Sequence, residues 1–174
     1  MNFGWTMDLE LKRGTIAVAG PHTRWDYEGI LANACALQKL PAASAAARTL
    51  LSGKHLAILA RPGNSADARL FLAAATGLGA QVAEIRAELW AALRQEEIKR
   101  MAGLLGCLYV AVECQDEFDA LAPLIAAGTG IAIYDYIASP GHPTAKVVAL
   151  LKGDEPPCEK RLLVLQGVLL ATIA

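Results

Sequence analysis

The chain has 174 residues, a formal net charge of -1 and 55% hydrophobic residues. That length fits one domain with a substantial core, and the near-zero charge gives no argument for nucleic acid or a membrane surface as partner. No apolar run reaches the ~18–20 residues needed to span a bilayer. Acidic residues also stand where a signal peptide needs an apolar stretch, so a soluble cytoplasmic protein is expected.

Residues 1–22 form an extension of unclear role, in which Thr15–Ala19 can make a short strand ended by Gly20-Pro21. Thr23 can cap a helix through Tyr27, Ile30, Leu31, Ala34 and Leu37, whose broad apolar face must pack on something. Pro41 ends it, and Ala43–Leu51 reads as a second, small-residue helix closed by Gly53. From His55 the pattern alternates. Leu56–Ala60 is a short apolar strand, broken by Arg61-Pro62-Gly63-Asn64. A helix follows with Leu70, Ala73, Ala74 and Gly77 on one face and Gly79 as its stop. Gln81–Arg86 is a second strand, and Leu89–Leu105 a helix with Leu93, Ile98, Met101 and Leu105 inward.

Cys107–Val112 is a third strand, apolar at almost every position, as in a parallel sheet covered on both faces. Phe118–Ala127 is helical, Gly130–Tyr134 is a fourth strand, and His142–Leu151 is the helix after it. Gly153–Pro157 is a polar break before a last helix, Glu159–Ala174, apolar nearly all round from Leu162. Four βα units in a row predict an α/β fold: a three-layer, open parallel sheet of four strands in the order 2-1-3-4 with helices on both faces. The last helix should lie beside the one from Tyr27 to Leu37. The cysteines, Cys35, Cys107, Cys114 and Cys158, form no Cys-x-x-Cys pair, so buried free thiols are expected rather than disulfides or a zinc site.

Ligands of such sheets bind beyond the carboxyl ends of the strands. The first strand leads to Asn64 and Ser65, which can cap the next helix, and to Asp67 in its first turn. The third leads to Glu113, a carboxylate that must be solvated, paired or functional, with solvation the simplest outcome. The fourth leads to His142-Pro143-Thr144, where Pro143 suits a first helical turn and His142 is a reasonable ligand contact. No Ser-His-Asp order, acid/base carboxylate pair or metal-ligand spacing is present, so no catalytic residue, metal or cofactor is assigned.

The segments LLSGKHLAIL, FLAAATGLGAQV, IYDYIASPGHPTAKVVALL and CEKRLLVLQGVLLATIA resemble, in that order, parts of the aspartate and ornithine carbamoyltransferases. They are similar to the first strand and helix, the fourth strand with its His-Pro-x-Gln helix, and the returning C-terminal helix. The resemblance implies a single domain over 1–174, like the family's carbamoyl-phosphate-binding domain, with 158–174 as the returning helix. The amino-acid-binding domain would be missing, because GDEPP leads straight into that helix.

The family's chemistry does not carry over. Its phosphate loop, Ser-Thr-Arg-Thr-Arg, falls on Asn64, Ser65, Ala66, Asp67 and Ala68, which loses both arginines. Arg61 and Arg69 are the cations near enough to compensate. A substrate-contacting arginine falls on Glu113. His-Pro-x-Gln becomes His142, Pro143, Thr144 and Ala145, which keeps the histidine and loses the glutamine. The resemblance thus implies a non-catalytic relative that assembles or binds a small molecule, as a homo-oligomer and most simply a trimer. The alternative is a site completed by another chain, such as a full-length carbamoyltransferase.

Overall fold

The computed structural model describes residues 25–41, 44–61, 65–115 and 121–174. Four strands, β1 (His55–Ala60), β2 (Gln81–Arg86), β3 (Ala111–Cys114) and β4 (Ala132–Asp135), form one sheet in the order β2-β1-β3-β4. Every pairing is parallel. The central strands β1 and β3 are buried almost throughout, as a sheet covered on both faces requires. Leu56, Ile58, Ala111 and Tyr134 face a core built with α1 (Tyr27–Gln38), α2 (Ala66–Gly77) and α6 (Pro157–Ile173). Ala57, Leu59, Val112 and Ile133 face the other core, with α3 (Glu88–Ala91), α4 (Gln95–Leu108) and α5 (Leu121–Gly128).

Several boundaries differ from expectation. The cap of α1 is Asp26, whose Oδ1 accepts from the Gly29 N–H at 2.9 Å; Thr23 and the strand at 15–19 lie outside the described residues. The second small helix reduces to a 3-10 turn at Ala47–Thr49. In α2 the buried face is Ala68, Phe71, Ala74 and Ala75, while Ala73 is exposed. Gly79 does stop that helix: its φ is +91°, and an added Cβ would sit 1.7 Å from the Arg48 carbonyl oxygen.

The helix expected at 89–105 is two helices. Glu97 accepts the Arg94 N–H at 2.9 Å, which starts α4 afresh. Met101, expected inward, is exposed. Helix α4 also continues through Cys107 and Leu108, so β3 begins only at Ala111. An unbroken apolar run carries no mark of where helix ends and strand begins. Of the cysteines, all free, only Cys114 is buried; Cys107 and Cys158 are exposed. Of the helix expected at 118–127, Leu121–Gly128 is described as α5. The helix expected at 142–151 is a 3-10 helix, Pro143–Leu150.

Helix α6 explains its own composition. Eight consecutive residues, Val164–Ala171, are buried, because α1, α2 and the sheet enclose them. It lies beside α1 as the pattern predicted, and Gly167 makes the contact close: a Cβ there would stand 2.6 Å from the Ile30 carbonyl oxygen. The Asn33 amide donates to the Gly167 carbonyl at 3.4 Å in the same contact. Among the described residues, no helix is long and apolar enough to cross a membrane. Gly167→Ala should therefore cost about 1–3 kcal/mol by forcing α1 and α6 apart. Gly130→Ala, with nothing within 4 Å of the added carbon, should stay within about 0.5 kcal/mol. Urea denaturation midpoints measure both.

Candidate functional site

The chain leaves β1 through α2 on one face and leaves β3 through α5 on the other. The position where open parallel sheets form a ligand crevice is therefore between the carboxyl ends of β1 and β3. Ser65 sits at its edge as the cap of α2, accepting the Ala68 N–H at 3.1 Å. Its hydroxyl donates to Gln115 Oε1 at 3.2 Å, and Gln115 Nε2 donates to Glu113 Oε1 at 3.1 Å. The start of α2 is thus tied to the end of β3.

Glu113 is not a solvated residue after the strand; it lies inside β3 and is fully buried. Its alternation places it on the α6 face, level with Ile58 and Tyr134. The backbone N–H groups of Ile137 and Ala138 lie near enough to its carboxyl group to favour the ionised form. Tyr136, at φ 55° in the left-handed region, turns the chain just before them. Burial, with a smaller contribution from Asp135, pushes the carboxyl group well above the usual carboxylate range despite the bonds from Ile137, Ala138 and Gln115. Burial therefore favours the protonated, neutral form of Glu113 and lessens the repulsion of anions expected from its charge.

Asp67 is likewise engaged. Arg161 of α6 donates through Nη2 to Asp67 Oδ1 at 3.2 Å and to the Ala138 carbonyl at 2.6 Å. One guanidinium so joins α2 to the loop that holds Glu113. Ala68, on which the resemblance places the family's second loop arginine, is fully buried in the core. Arg61 and Arg69 are exposed. Asn64 lies outside the described residues.

His142 caps the 3-10 helix. Its Nδ1 accepts from the Thr144 N–H at 3.3 Å and lies 2.9 Å from the Thr144 hydroxyl, itself buried. The ring proton must then sit on Nε2. Burial lowers the imidazole pKa to about 4, so the ring is neutral at neutral pH. Trp25 meets it edge to face, with ring centroids 5.3 Å apart. Three buried atoms here lack a partner among the described residues: His142 Nε2, Trp25 Nε1 and Glu113 Oε2. Leaving such an atom unpaired costs about 1–3 kcal/mol.

The structure thus links Ser65, Asp67 and Glu113 in one network and places His142 with Thr144 just beyond the loop that closes it. Arg161 and Trp25 were missed. Arg161 follows Lys160 directly before the apolar stretch of α6, and Trp25 is a large ring directly before the Asp26 cap. Those are thin but readable signals. Among the described residues, no cluster of three or more His, Cys, Asp or Glu can hold a metal ion.

No protein-family model and no curated protein matches the sequence. Solved structures do match the fold. The aspartate transcarbamoylase of Trypanosoma cruzi in complex with phosphate is 20% identical, with a TM-score of 0.59 over 80% of this chain and 44% of that one. The same enzyme in complex with carbamoyl phosphate matches at 20% identity and a TM-score of 0.57, over 80% and 43%. The catalytic subunit of M. jannaschii aspartate transcarbamoylase matches at 21% identity and a TM-score of 0.53, over 72% of this chain and 41% of that one. The chain therefore has a carbamoyltransferase-like α/β fold and spans less than half the length of these relatives, as fits a one-domain relative.

Glu113 and His142 act on stability in opposite senses. Glu113 keeps its proton to higher pH when folded, so its contribution is full below about pH 4.3 and is lost as pH rises toward the raised folded value. His142 releases its proton when folded, so stability falls as pH drops from about 6.5 to about 4. Glu113→Gln should raise stability at pH 8 and leave it nearly unchanged at pH 4. Urea denaturation at the two pH values reads the difference.

Proposed function

We propose that this chain is a non-catalytic, carbamoyltransferase-like binding domain without transcarbamoylase activity of its own. One observation carries the reading: the position that matches the substrate arginine is Glu113, a buried acid inside the sheet whose protonated form burial favours. Carbamoyl phosphate is a dianion at neutral pH. Charge-assisted bonds from arginine contribute roughly 1.5–3 kcal/mol each. Losing three weakens binding by roughly 5–9 kcal/mol, or about three to six powers of ten in Kd. The N–H groups at the start of α2 suit an anion but do not replace that sum. Arg161, the cation inside the network, is already committed to Asp67 and Ala138.

Association of copies, as a trimer, belongs to the same proposal. Leu89, Met101, Leu104 and Leu108 are exposed on α3 and α4, and the last three recur at helical spacing on one side of α4. Light scattering should give an oligomer at micromolar concentration, and a monomer would remove this part. For the site, calorimetry with carbamoyl phosphate should show no binding tighter than millimolar. Micromolar binding by the isolated protein would overturn the reading. Micromolar binding only after a full-length carbamoyltransferase is added would favour a site shared between chains.

A further inference from the structure

We propose that the groove between α1, α2, α6 and the 3-10 turn at Ala47–Thr49 binds a small amphipathic amine, an apolar body with an ammonium head. The groove holds about 580 Å³, within the roughly 300–1,000 Å³ of small-ligand sites. It shares no residue with the network that joins Ser65, Asp67 and Glu113. Leu37, Leu40, Leu162 and Leu163 give it an apolar lining, which suits an apolar body.

The head group follows from the polar atoms in the same lining. Gln166 is the one polar side chain in the buried run Val164–Ala171 of α6, and it is 8% exposed. Its Nε2 donates to the Ala74 carbonyl at 3.4 Å. Gly77 makes room for that amide, since a Cβ there would stand 2.8 Å from Nε2. Gln166 Oε1 receives no hydrogen bond among the described residues. Glu155 brings a second open acceptor: its Oε2 is buried and has no partner among the described residues. The Gln38 amide, which donates to the Lys152 carbonyl, lies close enough to hold the Glu155 carboxyl group below the usual carboxylate range. The charge is therefore present at neutral pH. Glu159 adds a second carboxylate to the lining, against Arg48 as the cation.

Both open atoms are thus acceptors, and the lining carries more negative than positive charge. A carboxylate or phosphate ligand would meet like charges. A carbonyl compound without N–H groups would offer Gln166 and Glu155 no proton. An ammonium group has three N–H donors and no acceptor, so it matches the site in both charge and hydrogen-bonding sense.

Phenethylamine is the probe, with hydrocinnamate as a charge-reversed analogue of nearly the same shape. The readout is the Gln166 side-chain amide and the Leu162 and Leu163 methyl signals in NMR. The amine should shift these signals saturably in the millimolar range, and the acid should bind about tenfold more weakly or not at all. Gln166→Leu keeps the apolar volume and removes the acceptor; it should weaken amine binding about tenfold at the Leu163 methyls, as the loss of one hydrogen bond implies. Glu155→Gln should also weaken the amine and narrow the gap between amine and acid. No saturable shift, acid binding as tight as the amine, or undiminished binding in both variants would each overturn the site. A groove covered by a second copy of the chain would be silent to both probes, and that outcome overturns it too. If Gln166→Leu does not fold, Glu155→Gln and the amine–acid comparison on the wild-type chain decide.

Discussion

A carboxyl group buried in the middle of a sheet must be paired with a cation, neutralised by a proton, or removed. At Glu113 the Gln115 amide donates a hydrogen bond and the nearby backbone N–H groups of Ile137 and Ala138 act in the same sense, yet among the described residues no cation meets it. Three N–H donors favour the ionised form, but full burial outweighs them, because charge in a low-dielectric interior costs more than neutral donors return. Burial favours the protonated group instead. That outcome sets the character of the crevice. The loop after β4 is fastened to a neutral acid, and Arg161 then fastens the same loop to Asp67 and α2. Polar groups that would otherwise meet a ligand meet each other.

The same economy of space governs the helices. Helix α6 is apolar on all sides because it is enclosed on all sides, and Gly167 is the point where α1 comes close enough to require it. This packing holds Arg161, one turn into the helix, against the start of α2. The buried stem of the molecule and the polar crevice are therefore not separate features. A shift of α6 along α1 would move the guanidinium away from both its acceptors.

Strand order, parallel pairing, helices on both faces and the neighbouring α1 and α6 were all readable from the alternation of apolar runs with helical spacing. The boundaries were less so. Cys107–Val112 is apolar whether it ends a helix or forms a strand, and the four-residue displacement of β3 moved Glu113 from a loop into the core. Its protonation state was unreadable for the same reason: it depends on burial, which depends on register. Ser65 as a cap and His142 before Pro143 were legible because capping is local. The pairings Asp67–Arg161 and Trp25–His142 join residues far apart in the chain, and no local pattern announces them. The carbamoyltransferase-like fold was legible as an ordered set of short resemblances, while solved structures that share it are 17–21% identical.

The central claim is that the position where a carbamoyltransferase places a substrate-contacting arginine holds a neutral acid in this chain. Infrared difference spectroscopy between the wild-type protein and Glu113→Gln at pH 7 tests it directly. A protonated carboxyl stretch present in the wild type and missing from the variant is the predicted result. A difference spectrum that contains only ionised-carboxylate bands would contradict it, and the crevice would then carry a buried negative charge.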